Sequence, residues 1–173
     1  MNYIFSAIFL YFFLGFLLYI FQRRIVFNKS GHPGSPKDYN LDNTEEVYIK
    51  TEDNLKLLSW YHKGNNSLPL IVYFHGNSFH IGDRAYRIQR YIEKNWSVLL
   101  VSWRGFGGNE GNPTEKNLYK DAEAVLKWIK NNTEFKFKEL VIYGESLGSG
   151  AAVEMGTKLS LIHISEPTRP LDI

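Results

Sequence analysis

The chain contains no cysteine. That absence excludes a disulfide scaffold, cysteine-ligated zinc and a cysteine nucleophile. The chain also has little excess of charge of either sign, because its 20 Lys and Arg residues nearly balance its 18 Asp and Glu residues, for a net charge of +2. The basic residues are dispersed, so we expect no nucleic-acid partner.

The sequence has no Walker loop, dinucleotide fingerprint or metal-ligand cluster, and we expect no cofactor. Hydrophobic residues make up 44% of the 173 positions, which predicts one packed domain.

Charge is missing altogether from Tyr3 to Phe21, which reads YIFSAIFLYFFLGFLLYIF. At about 1.5 Å per residue, a helix of this length nearly spans a hydrocarbon core about 30 Å thick. A cleaved signal peptide is the alternative, but basic residues before the run and small residues after it are missing. The run is apolar on every face, which disfavours a core helix. We therefore predict a single-pass membrane anchor over residues 1–27. The positive-inside rule places the following domain in the cytoplasm, on the evidence of Arg23, Arg24, Lys29 and Lys37.

Turn-forming residues concentrate between Gly31 and Asn43, and we interpret residues 28–44 as a linker. Beyond it, short apolar runs alternate with amphipathic stretches. The predicted strands are 46–50, 55–62, 70–74, 98–101 and 140–143. Helices are predicted over 84–94 and 147–158, and a third begins at Pro113 or Thr114 and carries an apolar stripe from Leu118 to Ile129. Buried strands that alternate with helices predict an α/β fold with a doubly wound, mostly parallel sheet.

One pentapeptide, Gly144-Glu145-Ser146-Leu147-Gly148, lies between the last predicted strand and the last predicted helix. A Gly-x-Ser-x-Gly sequence in this context is typical of a nucleophile elbow, in which a sharp turn exposes the serine. Ser146 is therefore the candidate nucleophile. The start of a helix offers free N–H groups to a developing oxyanion, and the N–H of Leu147 is one candidate donor. A glycine-rich turn with a bystander serine is the alternative, which the agreement of strand, helix and upstream loop disfavours.

The loop His75-Gly76-Asn77-Ser78 follows the strand predicted over 70–74 and offers a second oxyanion donor, the N–H of Asn77. His75 precedes Ser146, whereas this type of hydrolase carries its acid and histidine after the serine. We therefore assign His75 to orienting the loop. Solvated histidines are expected at His32, His62 and His80. Surface or capping charges are expected at Asp83, Asp121 and Glu145, and shaping of the elbow is the alternative for Glu145.

Residues 45–158 resemble the α/β-hydrolase superfamily, in particular its membrane-anchored, Bem46-like serine hydrolases. The matching segments are FQRRIVF, YFHGNSFHIGDR, SWRGFGGNEGNPTEKNLYKDAEAVLKWI and IYGESLGSGAA, in that order. The resemblance implies hydrolysis of an acyl ester, thioester or amide through an acyl-enzyme on Ser146, with Asn77 and Leu147 as oxyanion donors. The substrate would be a small or lipid-like acyl compound. This chain departs from the group where Ser78-Phe79-His80 replaces a glycine-containing step.

The family also carries three further strands, an Asp and a His after its nucleophile. Here Asp172 and His163 follow Ser146 in the reverse order. Leu159 to Arg169, LSLIHISEPTR, matches the translation of a transposase-based sequencing-library adapter, although a native strand over LSLIHI is the alternative. We therefore interpret residues 159–173 as a non-native tail and residues 45–158 as the N-terminal part of a hydrolase domain. Without a late histidine to deprotonate Ser146, the chain as written is expected to be inactive.

The sequence thus predicts a membrane-anchored serine hydrolase. The alternative is a non-catalytic α/β-hydrolase-fold protein that binds or scaffolds at a membrane. An Asp and a His after Ser146 in the uninterrupted gene would distinguish the two. A small membrane protein built on a helical hairpin is disfavoured by the buried strands and by the elbow.

Overall fold

An apolar N-terminal helix precedes a layered α/β domain in the computed structural model, which describes residues 2–29 and 31–159. The helices are α1 (Asn2–Val26), α2 (Ala85–Ile92), α3 (Glu115–Asn132) and α4 (Leu147–Leu159). The strands are β1 (Asn28–Lys29), β2 (Thr44–Lys50), β3 (Lys56–His62), β4 (Leu70–Phe74), β5 (Ser78–Phe79), β6 (Ser97–Val101) and β7 (Leu140–Gly144). Short 3₁₀ helices cover Pro36–Tyr39, Ile81–Arg84 and Phe137–Glu139.

Five of the strands form one sheet in the order β2-β3-β6-β4-β7. Strand β4 is parallel to both of its neighbours, so that Val72 lies between Leu99 and Ile142. The hairpin β2–β3 is antiparallel, and β3 is also antiparallel to β6. The predicted α/β architecture is confirmed, with a mixed sheet in which the parallel part carries the elbow.

Helices cover both faces of the sheet, as the doubly wound prediction requires. Side chains alternate along β4, because successive residues of a strand point to opposite faces. Val72 and Phe74 pack in a core with α3 and α4. Ile71 and Tyr73 pack in a second core with Ile88 of α2. All five residues of β4 are therefore buried, which explains its uninterrupted apolar run.

Helix α3 forms as its apolar stripe predicts. Thr114 has extended backbone angles, and its hydroxyl accepts a hydrogen bond from the N–H of Asn117 at 3.2 Å. This N-cap satisfies one N–H that the helix cannot satisfy itself. The stripe is buried at Leu118, Ala122, Val125, Leu126 and Ile129. The predicted helix over 84–94 begins as the 3₁₀ turn Ile81–Arg84 and ends at Ile92.

Helix α1 does not pack into either core. Within it, Tyr3–Gln22 has a mean hydropathy of 2.4, and the described part of the chain holds one helix long and apolar enough to cross a membrane. Its large apolar side chains are exposed. An apolar helix exposed all round is typical of a membrane span, whereas the helix of a small core buries one face.

The segment after α1 lies against the domain. β1 pairs in parallel with β5, which places Asn28 opposite Ser78. The ring of Phe27 packs edge-on against Phe106, with 6.4 Å between ring centroids. Further along the predicted linker, Leu41 is 1% exposed and belongs to the core beside α2. The end of the N-terminal helix is therefore attached to the domain by backbone pairing and apolar contacts.

Candidate active site

Ser146 lies in a sharp turn between β7 and α4 and is exposed. Its φ is +49°, a left-handed conformation that costs an L-residue about 1–2 kcal/mol. The turn is closed by two backbone hydrogen bonds, from the N–H of Gly148 to the carbonyl of Glu145 at 2.8 Å and from the N–H of Ser149 to the carbonyl of Ser146 at 2.9 Å. A strained backbone held by its surroundings is a feature of functional sites. The predicted strand–serine–helix arrangement is therefore present.

Close packing of α4 against β4 requires a residue without a side chain at position 148. A Cβ atom on Gly148 would overlap the carbonyl oxygen of Phe74. The N–H of Glu145 donates to the same oxygen at 2.9 Å. The end of β4 thus contacts both the turn and the first residues of the helix, which fixes where Ser146 stands above the sheet.

The loop predicted to hold the second oxyanion donor lies directly beside Ser146. A Cβ atom on Gly76 would stand 3.4 Å from the Cβ of Ser146 and 3.3 Å from Oε1 of Glu145. The side-chain amide of Asn77 donates to the carbonyl oxygen of Val26 at 2.7 Å, so the candidate oxyanion donor is the backbone N–H of Asn77. Leu147 begins α4, where the first N–H groups of a helix have no partner within it. The structure brings together the three predicted residues, while their catalytic roles remain predictions.

His75 is buried and holds the loop to the sheet. The N–H of Trp103 donates to its Nε2 at 3.5 Å, and the indole N–H of Trp103 donates to its carbonyl oxygen at 2.8 Å. Burial, reinforced by the positive charge of Arg84, lowers the pKa of His75 to about 3. A neutral, enclosed imidazole suits the orienting role that the sequence assigned to it. Among the described residues, no side chain hydrogen-bonds to the Ser146 hydroxyl, and His163 and Asp172 lie outside the described part of the chain.

Glu145, the residue before the candidate nucleophile, is anchored by two partners. Arg84 donates to its carboxylate through Nη2 at 3.0 Å and Nε at 3.3 Å, and the hydroxyl of Tyr73 donates at 2.8 Å. Burial opposes ionisation of Glu145, but these hydrogen bonds outweigh it, and its pKa lies below the usual value. A third bond of Arg84 runs from Nη1 to the carbonyl oxygen of Ser78 at 2.8 Å. Of the two alternatives for Glu145, the structure favours shaping of the elbow.

Two of the expectations for charged residues were wrong. Asp121 is fully buried, and its carboxylate binds Arg104 through bonds to Nη2 at 2.6 Å and Nε at 2.8 Å. His62 is 7% exposed rather than solvated, and burial lowers its pKa. The capping expectation for Asp83 is confirmed, because its carboxylate accepts from the N–H of His80 at 3.2 Å. Among the described residues, no group of three or more His, Asp or Glu side chains is placed to hold a metal ion.

Sequence reasoning missed the contribution of Arg84 and Tyr73 to the site. Arg84 is 61 residues from Glu145, and Tyr73 is 72 residues from it. No local pattern marks such pairs. The one available signal is the tyrosine next to the last residue of a buried strand, directly before Phe-His-Gly, which places a hydroxyl near the loop.

Known proteins that are similar to this chain support the fold. No protein-family model matches the chain. It is 30% identical over 156 residues to the protein bem46 of Schizosaccharomyces pombe. The aligned region covers 84% of this chain and 51% of that protein. It is 31% identical over 152 residues to the α/β-hydrolase domain-containing protein WAV2 of Arabidopsis thaliana, covering 82% and 48%. It is 29% identical over 148 residues to the lysophosphatidylserine lipase ABHD12 of Danio rerio, covering 72% and 37%. The chain spans about half the length of the curated relatives it matches.

A solved structure agrees with these relatives. The esterase Pf2001 of Pyrococcus furiosus superimposes with a TM-score of 0.65 at 26% identity, covering 80% of this chain and 55% of that one. The likeness therefore extends over most of this chain and about half of the esterase. With its layered α/β sheet, its strained serine turn and bem46 among its homologues, the chain has the α/β-hydrolase fold and resembles the proteins of that superfamily.

Proposed function

We propose that this chain is the N-terminal part of a membrane-anchored serine hydrolase, which cleaves an acyl ester, thioester or amide through an acyl-enzyme on Ser146. The observation that carries the proposal is the exposed Ser146 at φ +49° beside the Gly76 loop. A serine raised on such a turn faces an acyl carbon from one side, while the N–H groups of Asn77 and Leu147 face the developing oxyanion. Loss of one such donor typically costs about 3 kcal/mol of transition-state stabilisation.

Attack by a serine hydroxyl also requires a base. His75 does not fill that role, because it is buried, its pKa is lowered to about 3 and its Nε2 accepts from Trp103. We propose that the base and its acid partner come from further strands encoded after the codon of Lys158, and that residues 159–173 are not native. The match of LSLIHISEPTR to a sequencing adapter supports this, as does the greater length of the relatives.

The membrane anchor supports a lipid-like acyl substrate. The apolar helix ends at Val26, whose carbonyl oxygen accepts from the side chain of Asn77. The loop with a candidate oxyanion donor therefore lies next to the point where the chain would leave a bilayer. One relative, ABHD12 of Danio rerio, is named as a lysophosphatidylserine lipase. An amphiphilic acyl ester held at the membrane surface would reach a site in this position.

The first test is to amplify the locus from source DNA and sequence across the codon of Lys158. We expect the reading frame to continue through further strands to an Asp and then a His. A stop codon directly after LSLIHISEPTRPLDI would leave Ser146 without a base. That result would favour the non-catalytic binding protein.

The second test is labelling with a fluorophosphonate, which reacts with activated serines. The full-length protein from the locus is expected to label, and its Ser146→Ala variant is expected not to. The 173-residue chain is expected to label weakly or not at all, because the histidine that follows Ser146 in it, His163, belongs to the proposed non-native tail. Labelling that persists in Ser146→Ala would assign the activity to another residue, and strong labelling of the 173-residue chain would contradict the need for a later base.

A further inference from the structure

Arg84 joins the two loops that carry the candidate oxyanion donors. Its guanidinium donates to both carboxylate oxygens of Glu145, at 3.0 and 3.3 Å, and to the carbonyl oxygen of Ser78, at 2.8 Å. Glu145 directly precedes Ser146 and Leu147 in the elbow. Ser78 directly follows Asn77 in the other loop. One side chain thus contacts each loop next to its predicted donor.

The environment of Arg84 makes these bonds strong and well ordered. The residue is 8% exposed, and its partner Glu145 is 14% exposed at the side chain. Charge-assisted bonds in a fork are directional, because the guanidinium is planar and its donors are fixed relative to one another. The hydroxyl of Tyr73 holds the same carboxylate from the sheet side at 2.8 Å. The position of the carboxylate is therefore set from two directions.

The two loops touch one another, so a small displacement of either would alter the site. A Cβ on Gly76 would lie 3.3 Å from Oε1 of Glu145, 3.4 Å from its carbonyl oxygen and 3.4 Å from the Cβ of Ser146. There is no side chain at position 76 to act as a spacer. The distance between the loops is then determined by the groups that bridge them, and Arg84 bridges them directly.

We infer that Arg84 is a positioning residue for the oxyanion hole, which sets the N–H groups of Asn77 and Leu147 at the separation that one oxyanion requires. This inference rests on the proposed function. Arg84 itself does not touch the reacting atoms. It acts through the Glu145 carboxylate on the elbow and through the Ser78 carbonyl on the loop, so that both donors are in place before the substrate binds.

The test compares Arg84→Lys with wild type and with Arg90→Lys in the full-length protein, purified in detergent with its N-terminal helix. Lysine keeps the positive charge beside Glu145 but loses the fork. Arg90 lies on the same helix and is exposed, so its substitution is the matched control. With a short-chain p-nitrophenyl ester, we expect Arg84→Lys to lower kcat by about tenfold to a hundredfold with little change in KM, because misplacement by about 1 Å has that effect. Arg90→Lys is expected to behave as wild type.

Hydrogen exchange tests the bridging of the two loops by Arg84 without reference to activity. Arg84→Lys is expected to speed amide exchange in residues 76–79 and 145–148 while the rest of the sheet exchanges as in wild type. Tyr73→Phe removes one bond to Glu145 and leaves the three bonds of Arg84, so a smaller effect in the same two segments is expected.

Two other results would overturn the proposed role of Arg84. Unchanged kcat and unchanged exchange in Arg84→Lys would overturn it, and so would activity that falls only with the folded fraction while exchange rises throughout the domain. Failure of wild type to react with fluorophosphonate would refute the proposed function instead. In that case, local exchange at the two loops still shows whether Arg84 holds them together.

Discussion

At the scale of single residues, Phe79 is the clearest departure from what the backbone prefers. Its φ is +63° and its side chain is 53% exposed. The resemblance to Bem46-like hydrolases implies a glycine-containing step where Ser78-Phe79-His80 stands, and the left-handed backbone of Phe79 gives a physical reason for glycine there. The strain at this site has to be offset by the contacts of the surrounding loop, including the pairing of β5 with β1.

This strain can be measured by comparing Phe79→Gly with Phe79→Ala. Both variants lose the ring, but only glycine relieves the left-handed backbone. We expect the glycine variant to be more stable by about 1 kcal/mol, as measured by urea denaturation. Equal stability, or a more stable alanine variant, would show that the loop has another conformation in solution.

The burial of His75 is expected to make folding stability depend on pH. Burial lowers its pKa to about 3 in the folded protein, whereas an unfolded histidine titrates near about 6.5. Between these values the unfolded chain binds a proton that the folded chain does not. The free energy of unfolding should therefore fall as pH drops below about 6.5, by at most about 1.4 kcal/mol per pH unit for this group. Buried His62 is shifted in the same direction and adds to the effect.

The measurement is urea denaturation at several values between about pH 5 and 7. In His75→Gln, whose amide oxygen can accept from the N–H of Trp103, the loss of stability on acidification should be smaller than in wild type. His32→Gln replaces an exposed histidine and should retain the wild-type slope. An unchanged slope in His75→Gln would mean that this imidazole is not enclosed.

At the scale of elements, the sequence was most informative where the signal is local. Strand 70–74 and the helix capped by Thr114 follow from an apolar run and an apolar stripe, and both are present. The elbow was equally predictable, because Gly-x-Ser-x-Gly requires a strand before it and a helix after it. These elements place Ser146, Leu147 and the Gly76 loop together without any information on distant contacts.

Contacts between distant segments could not be predicted in the same way. Arg104 and Asp121 are 17 residues apart, Asn77 and Val26 are 51 apart, and Arg84 and Glu145 are 61 apart. An isolated charge in a sequence is usually solvated, which is why the sequence predicts a surface or capping role for Asp121. The pairing of β1 with β5 covers two residues on each strand, too few for any periodicity to appear. The elements were thus predictable, and the polar contacts that hold the site were not.

At the scale of the whole molecule, the end of the N-terminal helix contacts the loop that carries one of the candidate oxyanion donors. The described sheet ends at β7, where Val141 is 43% exposed. The segment that leaves α1 contacts the loop beside Ser146, through the Val26 carbonyl and the β1–β5 pairing. Where α1 lies therefore determines which environment the Gly76 loop faces.

The final prediction is that the N-terminal helix is retained and spans the membrane. Residues 3–22 have a mean hydropathy of 2.4 and pack against no core, so insertion into a bilayer is the favourable way to remove their side chains from water. We expect the expressed protein to resist alkaline carbonate extraction and to keep its N-terminal residues when its intact mass is measured. A protease added from the cytoplasmic side should digest the domain, since the basic residues follow the helix.

A matched pair of variants tests whether the apolar side chains of the helix hold the protein in the membrane. Replacing Phe13 and Leu14 by arginine puts two charges at the middle of the helix, where each costs about 2.5–3.5 kcal/mol on insertion scales. That variant should be lost from the membrane fraction, whereas Phe13→Leu with Leu14→Ile should remain there. A mature protein shortened at its N-terminus and released in soluble form would identify the run as a cleaved signal peptide. The site would then lie outside the cytoplasm, with the Gly76 loop facing water rather than lipid.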